Sequence, residues 1–251
     1  MNPAAIVKPS LEKSAEKVFQ QGNCYCVFNC EQLADFTPQM LSPDYWQHQQ
    51  AIEGSAQGRG TTYFVKYQAQ HWVLRHYYRG GLIGKLNKDS YLFTGYHNTR
   101  AAQEFTLLTT LKKLSLPAPQ PIAYRVIKQG LFYHADLLSS RIENAQDLVA
   151  ILQQQALTET IWFNIGVMIS KFHQHGIYHH DLNSHNILLD HQEKPWLIDF
   201  DRGEQRQVDK RWQENNLNRL LRSFRKEKAK LSTFHWQEKN WQTLLNGYQS
   251  L

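Results

Sequence analysis

Between His179 and Asp201 the chain reads HHDLNSHNILLDHQEKPWLIDFD, and its polar residues recur at spacings that suit one chemistry. Asp181 follows a helical pattern, Asn186 comes five residues later, and Asp199 closes a short apolar run with Phe200 behind it. Phosphoryl transfer asks little covalent help from a protein. It needs a carboxylate near the attacking hydroxyl, oxygen ligands for Mg2+, and a stiff frame for both. Asp181 suits the first task, accepting the hydroxyl proton or orienting the hydroxyl. Asn186 and Asp199 suit the second. The competing reading is a polar turn between two strands whose carboxylates act as caps.

The spacing is that of the kinase pattern H-x-D-x4-N followed by D-F-x, with His179 as the histidine. His179 is then a brace for the metal-binding turn. The histidines here form no ligand set at zinc spacing, so zinc is not expected. A kinase makes further demands upstream. Gly54, Gly58 and Gly60, in GSAQGRG, lie just before a predicted strand, where glycines let a backbone approach phosphates. A cation on the third strand should face a helical glutamate. Arg75 in WVLRHYYRG and Glu104 are the pair expected, with Lys66 as the alternative base. Arginine is a departure from the usual lysine, being bulkier and always charged. Asp201 is a second departure, standing where a glycine usually lets the turn flip. Its carboxylate either joins the metal surroundings or caps the turn.

The elements that must position these residues are legible from pattern. Residues 24–30, TTYFVKY, HWVLRHYY, 122–127 and 131–138 read as strands. Helical spacing covers a start at Ser42–Pro43 and the segments 98–115, 144–155, 158–175, 211–229 and 236–249. NILLD and PWLIDF read as short strands around a turn, and residues 1–16 as a loose arm. Strands crowd the first half and helices the second. The expected architecture is α+β: a β-rich lobe over 1–138, a mainly helical catalytic lobe over 139–251, and the proline-rich LPAPQPI at 116–122 as a connection.

Composition narrows the class. The 251 residues are 41% apolar with 31 aromatics, which excludes disorder, and no apolar run approaches bilayer length. The N-terminus shows no signal peptide pattern, so a cytoplasmic protein is expected. Cys24, Cys26 and Cys30 suit strand packing better than disulfides or a metal site. The net charge of +6 is concentrated in 210–230, where eight Lys/Arg face two acids. No nucleic-acid motif accompanies it, so nucleic acid is not an expected partner. Arg219, Arg222, Arg225 and Lys226 fall on one helical face opposite Leu217, Leu220, Leu221 and Phe224. Such a face either steers the chain to an anionic surface or is simply solvated.

Over about residues 20–240 the chain resembles the lipopolysaccharide core kinases of Gram-negative bacteria, most closely those acting on 3-deoxy-D-manno-octulosonic acid (Kdo). The resemblance rests on RHYYRGGLIGKLNKDSYLFTGYHNTRAAQEF, LPAPQPIAYRV, HHDLNSHNILLD, WLIDFDRGE and W-x2-N-N-L-x-R-L-x-R-S-F. It implies a protein-kinase-like two-lobed fold, ATP and Mg2+ as cofactors, and Asp181 as the catalytic aspartate. It also implies transfer to the Kdo 4-hydroxyl of Kdo-lipid IV-A by a peripheral protein at the cytoplasmic side of the inner membrane. No obligate protein partner is expected. Arg79, Lys85, Lys88 and Arg100 are candidates for the acceptor's phosphates. The rival readings are a heptose or other small-molecule kinase and a nucleotide-binding pseudokinase. Asn183 stands where protein kinases carry lysine, which argues against a protein substrate.

Overall fold

The computed structural model describes residues 15–57, 60–78 and 89–251. Its first lobe is one antiparallel sheet. The strands are β1 (Glu16–Gln21), β2 (Cys24–Asn29), β3 (Ile52–Gln57), β4 (Thr61–Tyr67), β5 (Gln70–His76), β6 (Tyr91–Leu92), β7 (Pro121–Gln129) and β8 (Phe132–Ser140). Their order is β1-β2-β7-β8-β5-β4-β3, with β6 beside β8. The predicted strands 24–30, 122–127 and 131–138 correspond to β2, β7 and β8. β1 and β3 have no counterpart in the pattern reading. Both are edge strands and largely exposed, so they form through backbone pairing and carry little apolar alternation. Glycines are tolerated in β3 for the same reason.

Each face of the sheet is covered. On one face lies α2 (Arg100–Lys113); the short α1 (Pro43–His48) belongs to the other cover. α2 begins on Thr99, whose Oγ1 accepts the Ala102 N–H. Ala101, Glu104, Phe105 and Leu108 recur along its buried stripe, which fixes Glu104 toward the sheet. On the opposite face Met40, Leu41 and Trp46 pack with Val65, Trp72 and Leu74, and the Trp46 indole donates to the Met40 carbonyl at 2.7 Å. Cys26 is buried in that layer, and all three cysteines are free thiols.

The proline-rich segment is not the connection between lobes. α2 stops at Lys113 with Ser115 in a left-handed turn at φ 54°, and the prolines that follow return the chain to β7, so two further strands join the first lobe. The crossing lies after β8, where Arg141 N–H donates to the His71 carbonyl at 2.9 Å. Residues 116–120 still touch the second lobe, since Leu197 N–H donates to the Pro117 carbonyl at 3.0 Å.

That lobe holds β9 (Gln146–Asp147), α3 (Leu148–Gln154), α4 (Glu159–Gln174), β10 (Ile177–Tyr178), β11 (Ile187–Leu189), β12 (Pro195–Leu197), β13 (Glu204–Gln205), α5 (Lys210–Lys230) and α6 (Glu238–Gln249). Among the described residues, no helix is long and apolar enough to cross a membrane. α4 and α6 meet at paired glycines. A Cβ on Gly166 would lie 1.9 Å from the Leu244 carbonyl oxygen, and one on Gly247 would lie 2.0 Å from that of Phe163. Backbone cannot yield as a side chain does, so Gly166→Ala should force the helices apart. We expect a loss of about 3 kcal/mol, at the upper end for overpacking, seen as a lowered urea midpoint at unchanged slope.

A buried polar chain then ties this packing to the loop that begins at His179. The Tyr248 hydroxyl of α6 meets His173 Nδ1 of α4 at 2.9 Å, His173 Nε2 meets Asn216 Oδ1 of α5 at 3.3 Å, and Asn216 Nδ2 donates to the His179 carbonyl at 2.8 Å. Burial pulls His173 down to about 4. The unfolded chain therefore binds an extra proton between about pH 6.5 and 4, and stability falls as pH drops through that window. The loss should approach about 3 kcal/mol. Urea titrations at pH 7 and pH 5 test it, and His173→Gln should flatten the dependence.

Candidate active site

The cleft between the lobes encloses about 930 Å³. Three pieces of chain build its chemical side. The first is β5, where alternation turns Arg75 toward α2 while Trp72 and Leu74 go to the opposite core. The Arg75 guanidinium grips both Glu104 oxygens and reaches Asp199 Oδ1. Glu104 is 3% exposed, and it also accepts the Tyr77 hydroxyl at 2.6 Å. Burial pushes Glu104 above the usual carboxylate value, with Arg75 opposing; its neighbouring acids hold Arg75 firmly protonated against the effect of burial.

The second piece is the loop from His179 to Asn186. His179 is 2% exposed, and burial keeps it below its ordinary value and hence neutral. Its Nε2–H donates to the Ile198 carbonyl at 2.9 Å while the ring meets Phe200 edge-on at 4.9 Å. It therefore braces the turn that carries Asp199. Asn183 caps the next turn through the N–H groups of His185 and Asn186. The Asn186 amide nitrogen donates to the Asp181 carbonyl at 2.9 Å, which leaves its amide oxygen as the atom able to take a cation.

The third piece is the β11–β12 hairpin with its extension. Asn186 directly precedes β11 and Asp199 lies two residues past β12, so strand pairing brings both into the cleft. The Ile198 N–H fixes the two ends by donating to the Asn186 carbonyl at 2.9 Å. Asp199 adopts φ 61°, a left-handed turn that aims its carboxylate at Arg75. Phe200 is fully buried against Phe172. Asp201 forms an ion pair with Arg100 at the start of α2, including a 2.8 Å bond from Arg100 Nε.

Of the sequence expectations, Asp181, Asn186, Asp199, Arg75, Glu104, Arg100 and Gly60 all line this cleft. Gly54 lies within β3 and does not line it. Lys66, the alternative base, is exposed on β4 and lies outside the cleft. Gly58, Arg79, Lys85 and Lys88 are outside the described residues. Arg100 is committed to Asp201 and to the Tyr91 hydroxyl at 2.7 Å. The contact that pattern reading missed is Arg219, whose Nη1 donates to Asp181 Oδ1 at 2.7 Å. By sequence pattern Arg219 is one residue of a basic helical face. Its place within W-x2-N-N-L-x-R-L, alongside the buried Asn216, was the one available signal.

The model of the lipopolysaccharide kinase (Kdo/WaaP) family matches residues 43–248. A Vibrio parahaemolyticus protein named 3-deoxy-D-manno-octulosonic acid kinase is 47% identical over 233 residues, covering 93% of this chain and 97% of that protein. A Haemophilus influenzae protein of the same name is 46% identical over 240 residues, covering 92% and 98%. With the match spanning both lobes and the whole cleft, the chain belongs to the lipopolysaccharide kinase (Kdo/WaaP) family.

Proposed function

We propose that the chain is an ATP-dependent kinase that phosphorylates the 4-hydroxyl of Kdo on Kdo-lipid IV-A. The observation that carries this reading is Arg75 bridging Glu104 and Asp199 in the cleft that also holds Asp181 and Asn186. That is the arrangement phosphoryl transfer requires, with arginine doing what lysine usually does. The names of the similar proteins support Kdo as the sugar.

In this reading the lobe over 1–138 binds ATP, with Gly60, at the turn between β3 and β4, near the phosphates and Arg75 on the α- and β-phosphates. The lobe over 139–251 supplies Asp181, which receives the acceptor's proton or aligns its oxygen. Asn186 and Asp199 offer the hard oxygen donors that suit Mg2+. When bound, Mg2+ supplies neutralisation of phosphate charge. Arg219 stands in for the cation missing at Asn183, holding Asp181 at the angle transfer needs. Arg79, Lys85 and Lys88 serve the acceptor's phosphates, and Arg100 shares in that only if it loosens from Asp201. The acceptor is polyanionic and membrane-borne. Exposed Arg222 and Lys226, on the same helix as Arg219, suit a peripheral contact with an anionic inner-membrane surface on the cytoplasmic side.

The test is incubation with labelled ATP, Mg2+ and purified Kdo-lipid IV-A, with the phosphate position fixed by NMR. Label at the Kdo 4-hydroxyl is expected. Transfer to a heptosylated acceptor alone would make it a heptose kinase; tight ATP binding without transfer to either would make it a pseudokinase.

A further inference from the structure

A second polar cluster lies on the other face of the first-lobe sheet. His76 follows Arg75 on β5, and alternation turns it to that face. Register sets its neighbours, since His76 pairs directly with Asp136 on β8 and Asp136 pairs directly with Arg125 on β7. His134 lies two residues before Asp136 and so shares its face. Asp89, just ahead of β6, closes over the pair. His76 Nε2 is 3.2 Å from Asp89 Oδ2, and His134 Nδ1 is 3.3 Å from Asp89 Oδ1. The donor atoms of all three lie within 4.8 Å of one another. The cluster borders a cavity of about 330 Å³.

The remote nitrogens decide what this cluster is for. His76 Nδ1 is 2.7 Å from Asp136 Oδ1, and His134 Nε2 is 3.2 Å from Gln129 Oε1. Both partners are acceptors, so each ring carries a proton on the side away from Asp89. Asp136 is itself fixed by Arg125, whose guanidinium also donates to the Pro38 and Leu41 carbonyls at 3.1 and 2.6 Å. In neutral rings, two nitrogen lone pairs then face a carboxylate. That repulsion is relieved either by a second ring proton, which Asp136 and Asp89 favour on His76 against the effect of burial, or by a metal ion between ring and carboxylate. The geometry is also the carboxylate–histidine–metal arrangement, in which an outer acceptor fixes the ring tautomer.

We propose that His76, Asp89 and His134 form a zinc-binding site with a fourth position open to the adjoining cavity. Zinc takes nitrogen and carboxylate oxygen at about 2.0–2.2 Å, which sets tetrahedral ligand atoms about 3.3–3.5 Å apart. With a single Asp89 oxygen as ligand, one edge is already close to that span, and each of the other two closes with at most about 1.5 Å of side-chain movement. Nitrogen-rich ligation selects this borderline ion over Mg2+, whose chemistry belongs to Asn186 and Asp199. The ion would pin β5, β8 and the approach to β6 together on the far side of the strand that carries Arg75. Pattern reading had no means of finding the site, because its ligands come from three segments and match no zinc spacing.

The test uses the full chain, stripped with a chelator and returned to buffer with excess Mg2+. Zinc titration by calorimetry should show one equivalent bound, and Co2+ should give the visible spectrum of a tetrahedral site. At a hundredfold excess over Kd the melting temperature should rise by roughly 5–10 °C. Asp89→Asn and His134→Ala should each weaken zinc by about 100-fold or more. Cys24→Ser, which removes a half-buried thiol beside Cys26, should leave binding unchanged. If a ligand variant fails to fold, zinc-induced shifts of the His76 and His134 ring nitrogens in the unaltered chain take its place. The proposal is overturned if zinc fails to bind, if the ligand variants bind as well as the parent, or if those ring signals do not move.

Discussion

Asp181→Asn should lower the transfer rate by roughly 10³- to 10⁴-fold while leaving ATP affinity within a factor of about three. The substitution keeps shape and removes only the charge and proton-accepting capacity. Its structural cost should be small. The Asp181 side chain is 45% exposed and its partner Arg219 is 43% exposed, and exposed pairs contribute about 0–1 kcal/mol. The melting temperature should therefore hold steady while product formation collapses, with single-turnover assays separating chemistry from binding. Retention of more than a tenth of the rate would remove Asp181 from the reaction. Arg219→Ala should act more mildly, on kcat before KM, since it touches the carboxylate and not the nucleotide side of the cleft.

The second large effect concerns Arg75. In Arg75→Ala, Glu104 stays buried with the Tyr77 hydroxyl as its remaining support, and Asp199 loses its tether to the first lobe. Removing one partner of a buried ion pair costs about 3–5 kcal/mol, so urea denaturation should show a loss of that order. ATP affinity and transfer should both fall by roughly 100-fold, because a phosphate contact and the inter-lobe bridge go together. Arg75→Lys should restore only part, since one ammonium cannot span two carboxylates as a guanidinium fork does. A sharper check is Arg75→Ala with Glu104→Ala: stability should largely return and activity should not. pH separates the two effects further. With Arg75 gone, the main influence lowering Glu104 is lost, and a folded value raised still further makes the variant less stable as pH climbs past about 4.3. If Arg75→Ala leaves ATP affinity and rate unchanged, Arg75 does not handle phosphate.

How far the sequence could be read depended on whether a contact was local. The Asp181–Asn186–Asp199 geometry was legible because a short loop and a two-stranded hairpin impose it, and both leave clear patterns. Arg75 with Glu104 was legible because the chemistry requires such a pair and few residues could supply it. Arg219 was not, because its helix starts 29 residues after Asp181 and nothing local says which side of it meets the cleft. β1 and β3 were hidden because edge strands need no apolar alternation. The proline-rich segment was misplaced for a different reason: proline reports where a helix stops, not which lobe the chain enters next.

The buried Phe200 and the Arg100–Asp201 pair bear on inhibitor design. In protein kinases the packing of the phenylalanine at this position sets active and inactive arrangements, and a displaced ring would leave space for a ligand. Here the ring stacks on Phe172, meets His179, and is followed by an acid anchored to the start of α2. Swinging it out would break a salt bridge, empty a core position and unseat the brace of the catalytic loop in one motion. Screening against this enzyme should therefore favour molecules that occupy the open mouth of the cleft, around Arg219 and His180, and fragments that depend on a displaced Phe200 should be absent among the hits.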